Sequence, residues 1–213
     1  MVIFDCDGVL VDSEPISNAV LAGMLGLEGL HMSVAQARSR YQGLMLEQVR
    51  SSAEGELGRP LGDGWIERYE RERTEAFRAG LRAVRGAREC VESLTGAGLK
   101  VCVASQGKLA KTALSLELTG LDDLFEPSWL FSADSVARGK PHPDLFLHAA
   151  ASMGVPAASC VVVEDTPSGV RAAVAAGMPV FGYCADSDEA ALESAGARVI
   201  RDLAEVPAAP ELS

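Results

Sequence analysis

Short apolar runs that end on polar residues recur along the chain. The first, residues 1–4, is followed directly by Asp5. Continuous apolar runs of this length are typical of strands buried on both faces of a parallel sheet. The pattern predicts strands at residues 1–4, 100–104, 160–163, Val180–Tyr183 and Arg198–Ile200, and a weaker one at Leu130–Ser132.

Segments with helical spacing of apolar residues lie between these strands, and each ends close to a glycine. A glycine just past the last turn supplies the left-handed residue that closes many helices. Alternating strands and helices of this length indicate an α/β fold with a mostly parallel sheet. The predicted helices span residues 87–94, 109–118, 145–153 and 169–176.

One long region departs from this alternation. After the first strand, no strong strand pattern appears before about residue 84, whereas residues 16–25 and 65–77 have helical patterns. We therefore predict a helical domain, residues 14–84, inserted into an α/β domain formed by residues 1–13 and 85–213.

Composition and charge limit the partners. Of the 213 residues, 48% are hydrophobic and 23% charged, which is ordinary for a globular protein. The net charge of -11 opposes binding to nucleic acid or to an anionic membrane, so we expect neither partner. An anionic substrate would require a locally positive site or a bridging cation. Either a monomer or a homodimer is compatible with this composition.

The longest uncharged stretch, the first residues and the cysteines do not indicate a membrane segment or an oxidising compartment. The longest stretch without Asp, Glu, Lys or Arg, residues 145–163, is divided by His148 and a Gly-Val-Pro turn. The first residues lack a basic start, and Asp5 and Asp7 interrupt their apolar run, so we do not expect a signal peptide. The five cysteines include no Cys-x-x-Cys pair. We expect a cytoplasmic location.

The sharpest chemical feature is the pair Asp5 and Asp7 at the end of the first predicted strand. Residues two apart point to the same side if the strand continues. Neighbouring carboxylates repel unless a cation or a shared proton relieves them. Such a pair suits a nucleophile with an acid/base partner, or a site for Mg²⁺. Alone, the motif is also compatible with a turn or a fragment of a calcium loop.

A second acidic pair, Glu164 and Asp165, follows the predicted strand 160–163. Ligands in open parallel sheets bind beyond the carboxyl ends of the strands, so both pairs are candidates for one metal site. The alternative is a helix N-cap, because a Thr-Pro-Ser-Gly sequence follows.

Ser105 and Lys140 also follow strand candidates or lie in the next loop. The hydroxyl of Ser105, with the helix N-terminus after it, suits an anion such as phosphate, although a serine there is also a common N-cap. Lys140 lies between Gly139 and Pro141, and a lysine held in this way suits neutralisation of carboxylates and phosphate. Its alternative is a solvated loop lysine.

Four segments resemble, in order, the motifs of the haloacid dehalogenase-like hydrolases. They are residues 4–14 (FDCDGVLVDSE), 103–105 (VAS), 139–144 (GKPHPD) and 163–169 (VEDTPSG). The resemblance spans nearly the whole chain and is closest to the branch of phosphoglycolate phosphatases and β-phosphoglucomutases. It implies a Rossmann-like core with the inserted domain as a helical cap.

The resemblance also implies a Mg²⁺-dependent phosphatase that acts on a small phosphorylated metabolite. Asp5 would attack phosphorus and form an aspartyl-phosphate, and Asp7 would protonate the leaving oxygen and then activate water. Ser105 and Lys140 would hold the phosphoryl oxygens.

For the metal, the resemblance implies that Asp165 binds Mg²⁺ together with Asp5 and the backbone carbonyl of Asp7. Glu164 would assist directly or through water. Cap-domain residues Glu14 and Gly43, the latter within the stretch 41–46, and Gln106 in the core are candidate substrate contacts. The resemblance leaves open whether the substrate is a sugar, polyol or organic-acid phosphate.

Departures from the family pattern narrow the chemistry. An acid at Asp7 argues against a dehalogenase. The related mutases carry a His where Ser17 stands and a cap Arg where Leu46 stands. Both differences favour hydrolysis, with a β-phosphoglucomutase-like phosphomutase as the alternative and a non-catalytic relative that binds a phosphorylated ligand as a third hypothesis.

Overall fold

A computed structural model describes residues 1–41, 44–185 and 187–209 of the chain. Within these residues, six strands form one sheet in which every neighbouring pair is parallel. The predicted α/β fold is therefore confirmed. The strands are β1 Val2–Phe4, β2 Val101–Ser105, β3 Leu130–Ser132, β4 Val161–Glu164, β5 Val180–Tyr183 and β6 Arg198–Ile200.

Helices connect these strands and also form the long insertion. In the described part of the chain they are α1 Glu14–Leu27, α2 Val34–Tyr41, α3 Leu46–Leu57, α4 Trp65–Gly80, α5 Ala87–Gly96, α6 Leu109–Thr119, α7 Asp144–Ser152, α8 Pro167–Ala175 and α9 Glu189–Ala195. None of the helices described here has the length and apolar character needed to cross a bilayer.

The strand order, β3-β2-β1-β4-β5-β6, places the first strand of the chain at the centre of the sheet. Ile3 of β1 lies opposite Cys102 on one side and Val162 on the other. All three residues of β1 are fully buried, which explains why this part of the sequence is an uninterrupted apolar run. Because the strands are parallel, β2, β1 and β4 end side by side at the same edge.

The core on one face of the sheet joins strand and helix side chains. Ile3 and Val162 belong to one buried cluster with Phe146 of α7 and Val170 of α8. Burial of these side chains is the main favourable contribution to this face.

The chain separates into two compact units, one formed by Met1–Asp12 and Arg82–Ser213 and the other by Ser13–Leu81. The second unit contains α1 to α4 and has an apolar core of its own. In that core the rings of Trp65 and Tyr69 stack with their centroids 6.3 Å apart. The interpretation of the inserted helices as a cap stays a prediction.

Three helices, α2, α3 and α9, were not individually predicted. The buried side of α2 consists of two residues, Ala37 and Tyr41. Within α9, Leu192 is the one buried residue. In α3, a glycine and two serines interrupt the apolar pattern. Such short helices form because a few side chains pack against their neighbours, which a local pattern does not reveal.

We expect Leu145→Ala to lower the free energy of unfolding by about 2–5 kcal/mol, because it leaves a cavity in the core. Leu145 is fully buried on α7, whereas Leu147 on the same helix is 41% exposed. Leu147→Ala, the matched control, is expected to cost less than about 1 kcal/mol. Urea unfolding measures both, and equal losses would contradict the assigned orientation of α7.

Candidate active site

Three of the predicted site residues lie where the central strands end. Asp5 directly follows β1, while Ser105 is the last residue of β2 and Glu164 the last residue of β4. The backbone N–H of Asp5 donates to the carbonyl of Val163 at 2.9 Å, so β1 is held to β4 up to this point. All three residues are buried. The parallel sheet thus brings together side chains that are far apart in sequence.

Lys140 joins two of these acidic residues. Its ammonium donates to a carboxylate oxygen of Asp5, to Oε1 of Glu164 at 2.6 Å and to the carbonyl of Ala104 at 3.1 Å. The lysine side chain is only 4% exposed. An ammonium has three N–H donors, and here each one has a protein acceptor. The alternative of a solvated loop lysine is excluded.

Both carboxylate oxygens of Glu164 accept hydrogen bonds. While Oε1 accepts from Lys140, Oε2 accepts from the backbone N–H groups of Asp165 and Thr166 and from the hydroxyl of Thr166, at 2.9–3.0 Å. A Cβ atom on Gly169 would lie 1.8 Å from Oε1, so a glycine is needed beside this carboxylate. The N-cap of α8 is Thr166, not either acid of the Glu164 and Asp165 pair.

Asp7 has a different cationic partner, Lys111 of α6, which sequence reasoning missed. The Lys111 ammonium donates to Oδ1 of Asp7. The signal in the sequence is weak because Lys108 and Lys111 both lie near the start of a helix, and spacing alone does not tell which of them points toward the acids. Lys108 is exposed, whereas the side chain of Lys111 is 13% exposed.

The two aspartates are not on one continuous strand. β1 ends at Phe4, and the chain then turns, with the N–H of Gly8 donating to Val11 and the N–H of Leu10 donating to Cys6, both at 2.9 Å. Asp5 and Asp7 therefore occupy different environments, with side chains that are 8% and 27% exposed.

Asp165 lies against this turn. Gly8 has φ of +77°, and a Cβ atom built on it would lie 2.2 Å from Oδ2 of Asp165. A glycine at this position allows both the backbone conformation and the close approach of the carboxylate. The carboxylate of Asp165 is thus next to the residue that follows Asp7, as a shared metal site requires.

Ser105 and Gln106 are bonded within the loops around the site. The hydroxyl oxygen of Ser105 accepts from the N–H of Gly107 at 3.1 Å, and the N-cap of α6 is Lys108. The side-chain carbonyl of Gln106 accepts from the backbone N–H of Lys140 at 2.9 Å. Gln106 therefore supports the loop that presents the lysine, and its predicted contact with substrate stays a prediction.

Two of the predicted substrate contacts, Glu14 and Gly43, belong to the inserted helical segment. Glu14 is the first residue of α1, and its side chain accepts from Asn18 at 3.1 Å. Gly43 lies outside the described residues. Both stay predictions.

Charge and burial together shift the pKa values of Asp5 and Lys140. Burial is the largest cause that raises the pKa of Asp5 from 3.8 to about 7, aided by Glu164 and Asp7, although Lys140 lowers it. Burial alone lowers the pKa of Lys140, but the charges and hydrogen bonds of Asp5 and Glu164 outweigh burial and raise it. The site therefore has an excess of negative charge that a further cation would offset.

Cys6, between the two aspartates, is not suited to act as a nucleophile. It is fully buried, and burial raises the pKa of its thiol well above the usual range, with the charge of Asp7 acting in the same direction. A thiol with a raised pKa is inert at neutral pH. The carboxylates, rather than this cysteine, are the candidate nucleophiles.

The residues present fit a Mg²⁺ ion held by few protein ligands. Among the described residues, no group of three or more His, Cys, Asp or Glu side chains is placed to hold a metal. Asp7 is paired with Lys111, and both oxygens of Glu164 accept hydrogen bonds. Asp5, Asp165 and the carbonyl of Asp7 supply oxygen atoms, the ligand type of Mg²⁺, which in proteins characteristically uses one or two carboxylates and keeps several waters.

Known proteins match this chain over most of its length. A family model described as haloacid dehalogenase-like hydrolase matches residues 1–177. The 6-phosphogluconate phosphatase of Escherichia coli K12 is 33% identical over 87% of this chain and 82% of that protein. Hexitol phosphatase A of the same organism is 30% identical over 87% of this chain and 83% of its own length.

A solved structure extends the similarity to the fold. It is a conserved haloacid dehalogenase-like protein of unknown function from Agrobacterium tumefaciens C58. The two chains superpose with a TM-score of 0.85 at 33% identity, over 97% of this chain and 95% of that one.

Without metal, the stability of Asp5→Asn relative to the wild type is expected to increase as pH rises. Because the pKa of Asp5 is raised from 3.8 to about 7, the folded protein retains a proton that the unfolded chain releases. The wild type therefore loses stability as pH rises between these two values, and the asparagine variant avoids this loss.

Urea unfolding in EDTA near pH 5 and pH 8 measures this difference. Asp12→Asn, at an exposed position of the same segment, is the control and is expected to follow the wild type. A stability difference that is the same at both pH values would contradict the raised pKa.

Proposed function

The chain belongs to the haloacid dehalogenase-like hydrolases, and from this premise we propose that it is a Mg²⁺-dependent phosphatase of small phosphorylated metabolites. The substrates proposed are sugar, polyol or organic-acid phosphates. The main support is the separate pairing of two carboxylates two residues apart, Asp5 with Lys140 and Asp7 with Lys111. Asp5 is thus a fixed, buried group, and Asp7 is a more accessible one.

We assign the nucleophile to Asp5. A carboxylate oxygen of Asp5 forms a bond to phosphorus while the bond from phosphorus to the leaving oxygen breaks, which gives an aspartyl-phosphate. Water then attacks phosphorus, and the bond to Asp5 breaks to release phosphate. The ion pair with Lys140 fixes the orientation of Asp5, and such positioning is a large part of phosphoryl-transfer catalysis.

Asp7 is the proposed general acid and base. It gives a proton to the leaving oxygen in the first step and takes one from water in the second. Its greater exposure than Asp5 suits a group that must meet both the leaving group and water.

Ser105 and Lys140 complete the proposed phosphoryl site in different ways. A hydroxyl that accepts from Gly107 still has its own proton to donate, and we assign that proton to a phosphoryl oxygen. The three donors of Lys140 already meet protein acceptors, so Lys140 is assigned to act through its charge and through Asp5.

Mg²⁺, when bound, supplies positive charge to the phosphoryl oxygens and to Asp5. Asp5, Asp165 and the carbonyl of Asp7 are the proposed ligands. Glu164 is proposed to act by holding Lys140 and the start of α8, because both of its oxygens accept hydrogen bonds from those elements.

Phosphate release from a panel of substrates tests the proposal. The panel contains 6-phosphogluconate, hexitol phosphates, glucose phosphates and 2-phosphoglycolate, each with Mg²⁺ and with EDTA. We expect release that requires Mg²⁺ and is lost by at least about 1000-fold in Asp5→Asn, because the nucleophile is removed. Asp12→Asn, the exposed control, is expected to keep wild-type activity. Isomerised sugar phosphate in place of free phosphate would instead support the phosphomutase alternative.

Asp165→Asn tests the metal assignment. Loss of one carboxylate ligand is expected to raise the Mg²⁺ concentration for half-maximal activity by at least about tenfold. Asp144→Asn, at the start of α7 where Asp144 pairs with Arg138, is the control with the same change of charge. An unchanged Mg²⁺ requirement in Asp165→Asn would contradict its role as a ligand.

A further inference from the structure

Lys111 occupies a place that its own helix disfavours. It is the third residue of α6, where the helix dipole is positive, and the first turn of this helix contains no acidic residue. Its side chain is largely removed from water, at 13% exposure. A lysine in this position loses solvation and gains nothing from the helix. The ion pair with Asp7 helps to offset both costs.

The position of Asp7 then locates Lys111 relative to the reaction. In the proposed mechanism, Asp7 exchanges a proton with the oxygen of the leaving group. Because Lys111 donates to the same carboxylate, its ammonium lies on the leaving-group side of the site. Lys140, in contrast, is enclosed by Asp5, Glu164 and the carbonyl of Ala104.

The two lysines also differ in solvent exposure, and Lys111 is the more exposed. The Lys140 pair with Asp5 has side chains that are 4% and 8% exposed, whereas the Lys111 pair with Asp7 is 13% and 27% exposed. A substrate group can therefore approach Lys111 more readily than Lys140. Since the protein has a net charge of -11, an anionic leaving group requires a local cation of this kind.

We propose that Lys111 determines specificity, favouring phosphate esters whose leaving group has a second anionic group, a carboxylate. This inference rests on the proposed phosphatase function and narrows its substrate class. When such a substrate binds, the carboxylate of the leaving group accepts a charge-assisted hydrogen bond from Lys111. Leaving groups with only hydroxyl groups gain less from the ammonium.

Two matched pairs of substrates test this proposal. 6-Phosphogluconate and glucitol 6-phosphate differ by a carboxylate in place of a terminal alcohol, far from the phosphate. 2-Phosphoglycolate and 2-hydroxyethyl phosphate differ in the same way close to it. The measurements are kcat and KM for each substrate with the wild type and with Lys111→Met, Lys111→Arg and Lys108→Met.

We expect Lys111→Met to lower kcat/KM for at least one carboxylate substrate by about 10- to 100-fold, mainly through KM, because a charge-assisted hydrogen bond is lost. The loss for the neutral member of that pair is expected to be at least about fivefold smaller, because it reflects only the altered environment of Asp7. Lys111→Arg is expected to retain most of the preference, since it keeps the charge. Lys108→Met removes a nearby exposed lysine and is the control for net charge.

Equal losses for the charged and neutral members of both pairs would overturn the proposal, because Lys111 would then only position Asp7. A wild type with no preference for the carboxylate in either pair would also overturn it.

Binding separates this inference from the proposed function. Calorimetry with Mg²⁺ on Asp5→Asn, with and without Lys111→Met, measures affinity for the same four compounds without turnover. Carboxylate-selective binding that requires Lys111, in a protein whose wild type releases no phosphate, would refute the phosphatase proposal alone. Binding that is indifferent to Lys111 would refute the specificity proposal alone if the wild type is an active phosphatase.

Discussion

The buried ammonium of Lys140 is the group on which the rest of the site depends. Asp5 and Glu164 are buried in the same small volume, where two unpaired carboxylates would repel and take up protons. Lys140 donates to both and to a backbone carbonyl, so one cation satisfies three acceptors. Removing Lys140 would leave two buried carboxylates without a cation, and the three residues therefore act as one unit.

The sheet explains how this unit is assembled from three distant segments. β1 is only three residues long, but it pairs on both sides and is the central strand. The carbonyl of Ala104, one residue before the end of β2, and the carboxylate at the end of β4 are thereby placed on either side of Asp5. Glu164 also accepts from the start of α8, so the position of that helix is coupled to the position of the lysine.

Much of this arrangement is accessible from sequence because its signals are local. Buried strands appear as apolar runs, and a polar residue directly after such a run must lie at the edge of the sheet. Lys111 has no such signal: its contact with Asp7 depends on the rotation of α6, and Lys108 is an equivalent candidate in the sequence. The hydrogen bonds to both oxygens of Glu164 also cannot be predicted from the sequence, because most of their donors lie in a turn whose backbone geometry has no local sequence pattern.

Asp5 and Asp7 show most clearly why residue identity is insufficient to assign a role. Both are aspartates, and only Cys6 separates them. The turn after β1 leaves Asp5 at the sheet edge, where burial raises its pKa and Lys140 fixes its orientation, and carries Asp7 toward α6 and greater exposure. A nucleophile must be held in place, whereas a proton carrier must meet the leaving group and water in turn. The difference in environment, created by a few backbone hydrogen bonds in the turn, supports opposite roles for two chemically identical groups.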